Sequence, residues 1–395
     1  MNKRLVHLAA IILSALLLVL GNKIAVTNMP VFEHIYQDSC EKAVVTGILS
    51  RTSAAQIIEG VSYGSGTNIT FAATLLTGEN KGEMITALQN SDPYSPYQMR
   101  DVTAGDKILV TRNTAPESEI EWLMGEYVRS DMLILLGVVF CFLVILLGRM
   151  QGVNTILSLA FACLAVFVVF IPAVLSGKNI YFWSIATCTF IIVMTLVIVN
   201  GINKKSLCSG IGCFSGVIAS GALTLLSNHF LQLTGMVDEE SLYLKFLFED
   251  RVIDLNAIIF AAIILGAVGA IMDVAMSLSS ALSEIQTTNP ELTSHELCKS
   301  GFNIGRDIMG TMANTLVLAY IGGSLSITLL LIAYSNSVLA LVNREMIVVE
   351  ILQALVGSFG ILLTIPLTSL VCSIVYTHKK KPKNLTNSPE TKPES

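Results

Sequence analysis

Charge is what this chain most lacks. Only 13% of its residues are Asp, Glu, Lys or Arg, whereas 53% are hydrophobic, and the mean hydropathy is +0.69. A soluble domain carries about 25% charge, so this scarcity points instead to a chain that crosses a membrane many times. The net charge of −5 decides little, because the charges are segregated along the chain. No basic tract is present, which argues against nucleic acid as a partner. The eight cysteines (Cys40, Cys141, Cys163, Cys188, Cys208, Cys213, Cys298 and Cys372) contain no CxxC pair. Most sit in apolar segments, where a thiol behaves as a small hydrophobe, and only Cys40 falls in a polar region expected outside the cell. A disulfide framework is therefore not expected. Histidines at 7, 34, 229, 295 and 378 are too scattered for a zinc site. Walker-type GxxxxGK[ST], HExxH and a GxSxG elbow are missing too, and "GSGTN" at 64–68 reads as a turn. The chain is not expected to be an enzyme, to hold a cofactor or metal, or to be an ATP-driven pump on its own.

What the sequence has in quantity is long apolar runs. A spanning helix needs roughly 17–25 apolar residues. Residues 1–21 form the first, behind Lys3-Arg4. It suits either a signal peptide or an uncleaved anchor, and the lack of an evident cleavage site favours the anchor. Seven more runs follow at 132–147, 153–175, 181–202, 207–233, 255–278, 304–333 and 346–376. Pro172 and Pro366 are expected bends. The fold class is thus an α-helical polytopic membrane protein of about eight spans, with seven helices in 131–378. Lys and Arg in the short loops place both termini in the cytoplasm. The tail 379–395, opening on Lys379-Lys380-Lys381, reads as disordered and basic, fit to lie on anionic lipid.

Between the first run and the rest lies a different composition. Residues 22–130 read as a small extracytoplasmic β-rich domain. "AVVTGILS" alternates weakly, "TNITFAATLLTGENKGEMITALQN" reads as two strands around a Gly-rich turn, and "VTAGDKILVTRN" as a further strand. An OB-like barrel is one of several small β folds with this pattern. "SDPYSPYQ" reads as a loop, and 116–129 as a short amphipathic helix leading to the membrane. A cytoplasmic helix is expected near 290–300, with Asn289-Pro290 or the Thr293…Glu296 capping box at its start and Gly301 at its end.

Two apolar helices carry polar residues at helical spacing. In "LGAVGAIMDVAMSLSSALSEI" the residues Gly266, Gly269, Asp273, Ser277, Ser280 and Glu284 recur every three or four positions, which is one stripe of an α-helix. In "GFNIGRDIMGTMANTLVLAYIGG" Arg306, Gly310 and Asn314 step by four, and Asp307, Thr311 and Thr315 form the next row. Asp273 and Arg306 are expected at similar depth, as an ion pair that lowers the cost of both charges. Three explanations stay open for the second stripe: a membrane boundary with Arg reaching headgroups, a structural lock between helices, or a polar pathway. Gly266, Gly269 and Gly310, together with Gly212 and Gly216 of the fourth run in this block, are expected to pack helices closely.

Those two motifs, in that order about thirty residues apart and behind an anchor and a "GDKILV" strand, resemble the YibE/F family of bacterial membrane proteins. The resemblance covers the whole chain and implies an integral membrane protein, with transport only a guess. Its motif positions are Gly266, Gly269, Asp273, Ser277, Glu284, Gly305, Arg306, Asp307, Gly310, Thr311, Asn314 and Thr315. The leading expectation is a permease or exporter for an ion or small solute, with its pathway between the sixth and seventh spans. The alternative is a scaffold or sensor whose β domain binds an envelope partner; an intramembrane enzyme using Asp273 and Asp307 ranks last. Expected partners are the cell membrane's lipid, the solute, and a second copy or a second family member.

Overall fold

Period-two alternation builds the smaller of two units, Val31–Leu146. Strands β1 (Glu41–Ile58), β2 (Val61–Leu75), β3 (Met84–Ser91), β4 (Lys107–Arg112) and β5 (Trp122–Tyr127) close into a barrel in the order β1-β2-β3-β5-β4. Only β3 and β5 pair in parallel; the other neighbours are antiparallel. Successive side chains point to opposite faces, so Ile69, Phe71, Ala73 and Leu75 of β2 enter one core with Val45, Ala87, Ile108, Val110 and Trp122. The turn between β2 and β3 carries Gly78 and Gly82 at φ 88° and 94°, a region that glycine enters at no steric cost. The computed structural model describes residues 3–27, 40–58, 61–91, 99–113, 120–246, 253–335 and 337–377.

One expectation here is corrected. Residues 122–127 form β5, not the end of an amphipathic helix. Trp122 pairs with Ala87 of β3 and Arg112 of β4 and is buried, so barrel closure overrides the local helical pattern. Residues 116–119 of that predicted helix lie outside the described residues, as do the "DPYSPYQ" loop and the tail 379–395.

Helix α2 (Ser130–Leu164) leaves this unit and is interrupted at Arg149, whose φ 49° and ψ −126° are not helical. The large apolar residues of 132–147 are mostly exposed.

The second unit comprises Met1–Pro30 and Leu147–Ser395. It contains α1 (Lys3–Ala25), the end of α2, a π-helical turn (Ala165–Phe170), α3 (Ile171–Leu175), α4 (Ile180–Asn200), α5 (Lys204–Leu231), α6 (Glu239–Phe246), α7 (Leu255–Thr288), α8 (Ser294–Gly323), α9 (Leu325–Tyr334), α10 (Val338–Val342) and α11 (Glu345–Thr377). The first helix runs past the expected end at 21. Among the described residues six helices are long and apolar enough to cross a membrane, or seven if α8 and α9, bent by 63°, form one broken span. Ser130–Leu175 counts there as a single 46-residue helix. Pro172 sits at the start of α3 directly after the π-helical turn, where a missing N–H disturbs the helical ladder. Pro366 is accommodated inside α11.

The core of this unit lies where α5, α7, α8 and α11 meet. Ile192, Ile264, Ile271, Leu278, Leu282, Leu297, Ile361 and Ile365 belong to one cluster. Small residues set the spacing. A Cβ on Gly212 would strike Thr368 Oγ1, one on Gly216 would strike Thr364 Oγ1, and one on Gly301 would lie 2.6 Å from Ser369 Oγ. Close backbone approach of this kind is how helices pack where lipid removes the hydrophobic drive between them.

The short cytoplasmic helix is also corrected. Thr293 caps α8, with the Thr293 hydroxyl accepting from Glu296 N–H and the Glu296 carboxylate accepting from Thr293 N–H. From there α8 continues unbroken through 301 to 323. Gly301 is no helix end; it is buried against Ser369 and Leu282, so its missing Cβ serves packing rather than termination.

Candidate functional site

Asp273 lies near the middle of α7, a 34-residue helix capped by Asp254, whose side chain accepts from Ala257 N–H. One face of α7 is buried through Ile263, Ile264, Ala267, Ile271, Val274, Ala275 and Leu278. The other carries the polar stripe: Gly266, Gly269, Asp273, Ser277 and Glu284 are all exposed, and Ser280 is half-buried with its hydroxyl bonded back to Met276 O. Part of this face opens into a cavity of ≈ 650 Å³, whose polar lining is Thr155, Ser158, Thr195 and Asp273. Val166 and Phe167 of the π-helical turn also line it. Thr155 and Ser158 donate to carbonyls of their own helix, at Gln151 and Thr155. Their oxygens therefore keep acceptor capacity toward the cavity.

The expected ion pair is not formed. Among the described residues Asp273 and Arg306 make no ion pair with each other or with anything else. Arg306 stands exposed on α8, as do Asp307, Gly310, Thr311, Asn314 and Thr315. The physical reason is the rotation of α8. Its apolar stripe, Ile304, Ile308, Met309, Met312 and Leu316, packs on the core. Gly305 meets Ile365 of α11, and that contact fixes which side turns outward. Thr311 and Thr315 hydroxyls donate to Ile308 O and Thr311 O within α8. A closed polar seam between the two helices is accordingly absent. Of the glycines, Gly212 and Gly216 lie at the α5–α11 contact and Gly266 against the Tyr320 hydroxyl, whereas Gly269 and Gly310 face open space.

Some polar residues escaped sequence reasoning. Tyr320 of α8 and Gln353 of α11 converge on Gly266, one turn of α11 from the half-buried Glu350. Glu350 was visible as a lone charge in "MIVVEILQALV", the usual mark of a functional or paired group in a span. Thr155, Ser158 and Thr195 carried no such signal, because isolated hydroxyls in apolar helices are common back-bonding residues.

Helices of this length and apolarity make the chain membrane-compatible, and the carboxylate at the cavity gives it a candidate site. No curated protein and no solved structure is similar enough to match. Residues 136–378, more than half of the chain, match the family described as YibE/F-like protein, and the chain belongs to that family.

Proposed function

We propose that the protein is a multi-pass permease or exporter of a cation or small solute in the cell membrane, with Asp273 as the proton- or cation-linked carboxylate. One observation carries this: a carboxylate midway along a helix long and apolar enough to cross a membrane, with no ion-pair or hydrogen-bond partner among the described residues, set on the wall of a ≈ 650 Å³ cavity. An ionised carboxylate in hydrocarbon is costly, and charges kept there usually mark ion paths or proton relays. Asp273 either holds a proton or exchanges it for a cation. Hydroxyl oxygens of Thr155, Ser158 and Thr195 are the other side-chain oxygens of an otherwise apolar lining, and with Asp273 they supply the hard ligands that a cation or water would use there. The π-helical turn on the same wall supplies a backbone irregularity of the kind frequent at functional sites. Flux would be driven by a gradient, with no ATPase on this chain.

The membrane arrangement belongs to the same proposal. Eight spans result if Arg149 divides Ser130–Leu175 in two and α8 with α9 crosses once. Both termini would then be cytoplasmic and the barrel, whose strand order suits an OB-like fold, extracytoplasmic.

The test is flux into proteoliposomes under imposed proton or monovalent-cation gradients. Asp273→Asn should abolish coupled flux while purified yield and thermal unfolding stay at wild-type values, and Asp273→Glu should keep part of it. Wild-type flux in Asp273→Asn would sink the coupling role.

A further inference from the structure

The α8 face that turns away from the core is the strangest surface of the helical unit. Asn303, Arg306, Asp307, Gly310, Thr311 and Asn314 are exposed along more than two turns of a helix that reads as spanning. Arg306 and Asp307 have no ion-pair partner among the described residues. Gly310 has nothing within 4 Å of where its Cβ would be, so its missing side chain serves no contact inside this chain. Lipid tails cannot cover such a face without leaving charges and an amide unsatisfied. Exposed apolar residues Phe302, Leu318 and Ile321 border it. The face is therefore a polar strip with an apolar rim.

We propose that this strip is the contact between two copies of the chain, related by a two-fold axis along the membrane normal. The geometry is self-complementary. At 100° per residue, Arg306 lies about 40° to one side of Gly310 and Asp307 about 60° to the other. A two-fold axis normal to the membrane sets equal depths face to face and brings the left flank of one helix against the right flank of its mate. Arg306 of one copy thus meets Asp307 of the other, twice, and the two residues differ in depth by only about 1.5 Å. Gly310 falls on the axis, where a small residue lets the backbones approach. The occupant is a second copy because one strip carries both signs at one level, so each copy supplies what the other lacks. This proposal goes beyond the transport proposal and needs no flux to test it.

The experiment uses full-length chains with two different tags, co-expressed and captured on one tag from membranes solubilised in mild detergent. Wild-type copies should co-purify. Arg306→Asp should lose self-association by at least tenfold, because like charges then meet, and Asp307→Arg should do the same. Co-expressing Arg306→Asp with Asp307→Arg should restore a mixed pair, and the double exchange R306D/D307R should self-associate again. Restoration also shows that each single variant folds. Equal capture for every combination, capture of none including wild type, or failure of the mixed pair would each overturn the proposal. Association of the strip with a different chain in place of a second copy would overturn it equally.

Discussion

Gly212 and Thr368 carry much of the close approach between α5 and α11. A methyl at 212 would overlap Thr368 Oγ1, and that hydroxyl is itself buried with no hydrogen-bond partner among the described residues. Gly212→Ala should therefore cost about 1–3 kcal/mol, the usual effect of overpacking a tight core. Thr368→Ala should be close to neutral alone, since it removes an unsatisfied polar atom, and should rescue Gly212→Ala by vacating the volume the methyl needs. Thermal unfolding of the purified chain measures both; a neutral Gly212→Ala would show that the helices can separate freely there. The four-residue spacing of Gly212 and Gly216 was legible in the sequence, because periodicity survives without knowing the neighbour. Which helix they meet was not, since Thr364 and Thr368 look like any back-bonding hydroxyls. The same limit separated Asp273 from Arg306. Spacing along each helix placed both residues correctly on a stripe, but the rotation of α8 about its axis depends on Gly305 against Ile365, which no single-chain pattern encodes.

At the level of elements, the loop between β3 and β4 shows how the barrel is tied. Buried Gln89 donates to Arg100 O and accepts from Val102 N–H, and Tyr127 OH donates to Arg100 O. Asp106 accepts from the Thr103 N–H and hydroxyl and, through both oxygens, from Arg100. Burial opposes its charge, but the bonds from Thr103 and Arg100 outweigh that and hold its carboxyl below the ordinary range. A depressed carboxyl contributes stability that is complete above its unfolded value of about 3.9 and is lost as pH falls through the lower folded value. The protection factor of the Thr103 amide against hydrogen exchange should thus hold near pH 5 and collapse on further acidification. In Asp106→Asn it should be low and flat across the same range. A Thr103 protection that declines near pH 7 would assign the effect to another group. The strand "GDKILV" was readable from its alternation, and the Gly-rich turn from its composition. Strand β5 was not, because "EWLMGEY" fits a short amphipathic helix locally and is fixed as a strand only by its two neighbours. The capping box at Thr293 was legible, while the run of α8 through Gly301 was hidden by glycine's habit of ending helices.

The whole molecule was most legible where composition alone decides. Sparse charge and long apolar runs gave a membrane protein, and one polar stretch gave a separate β unit. Sidedness follows from the bias of Lys and Arg in the short loops, and a direct measurement tests it. Native cysteines supply one. Cys40 is free and exposed at the start of β1, and Cys298 is free and half-buried in the first turns of α8. Cys141 and Cys163 lie within the apolar helix α2, in stretches long and apolar enough to cross a membrane, out of reach of a reagent that stays in water. If the barrel is extracytoplasmic, a membrane-impermeant maleimide should label intact cells through Cys40, and Cys40→Ser should remove that signal. Cys298 should label only after permeabilisation. The inverted pattern, with Cys298 reacting in intact cells and Cys40 silent until the membrane is opened, would reverse the assigned topology. If Asp273 exchanges a proton as proposed, that reversal would also change the side from which it does so, because the side of the membrane facing the turn between α7 and α8 would change. Under the proposed transport role, sidedness would decide whether the cavity carboxylate loads from the cytoplasm or from outside. A permease and an exporter with the same residues would differ only in which of those two compartments supplies the proton.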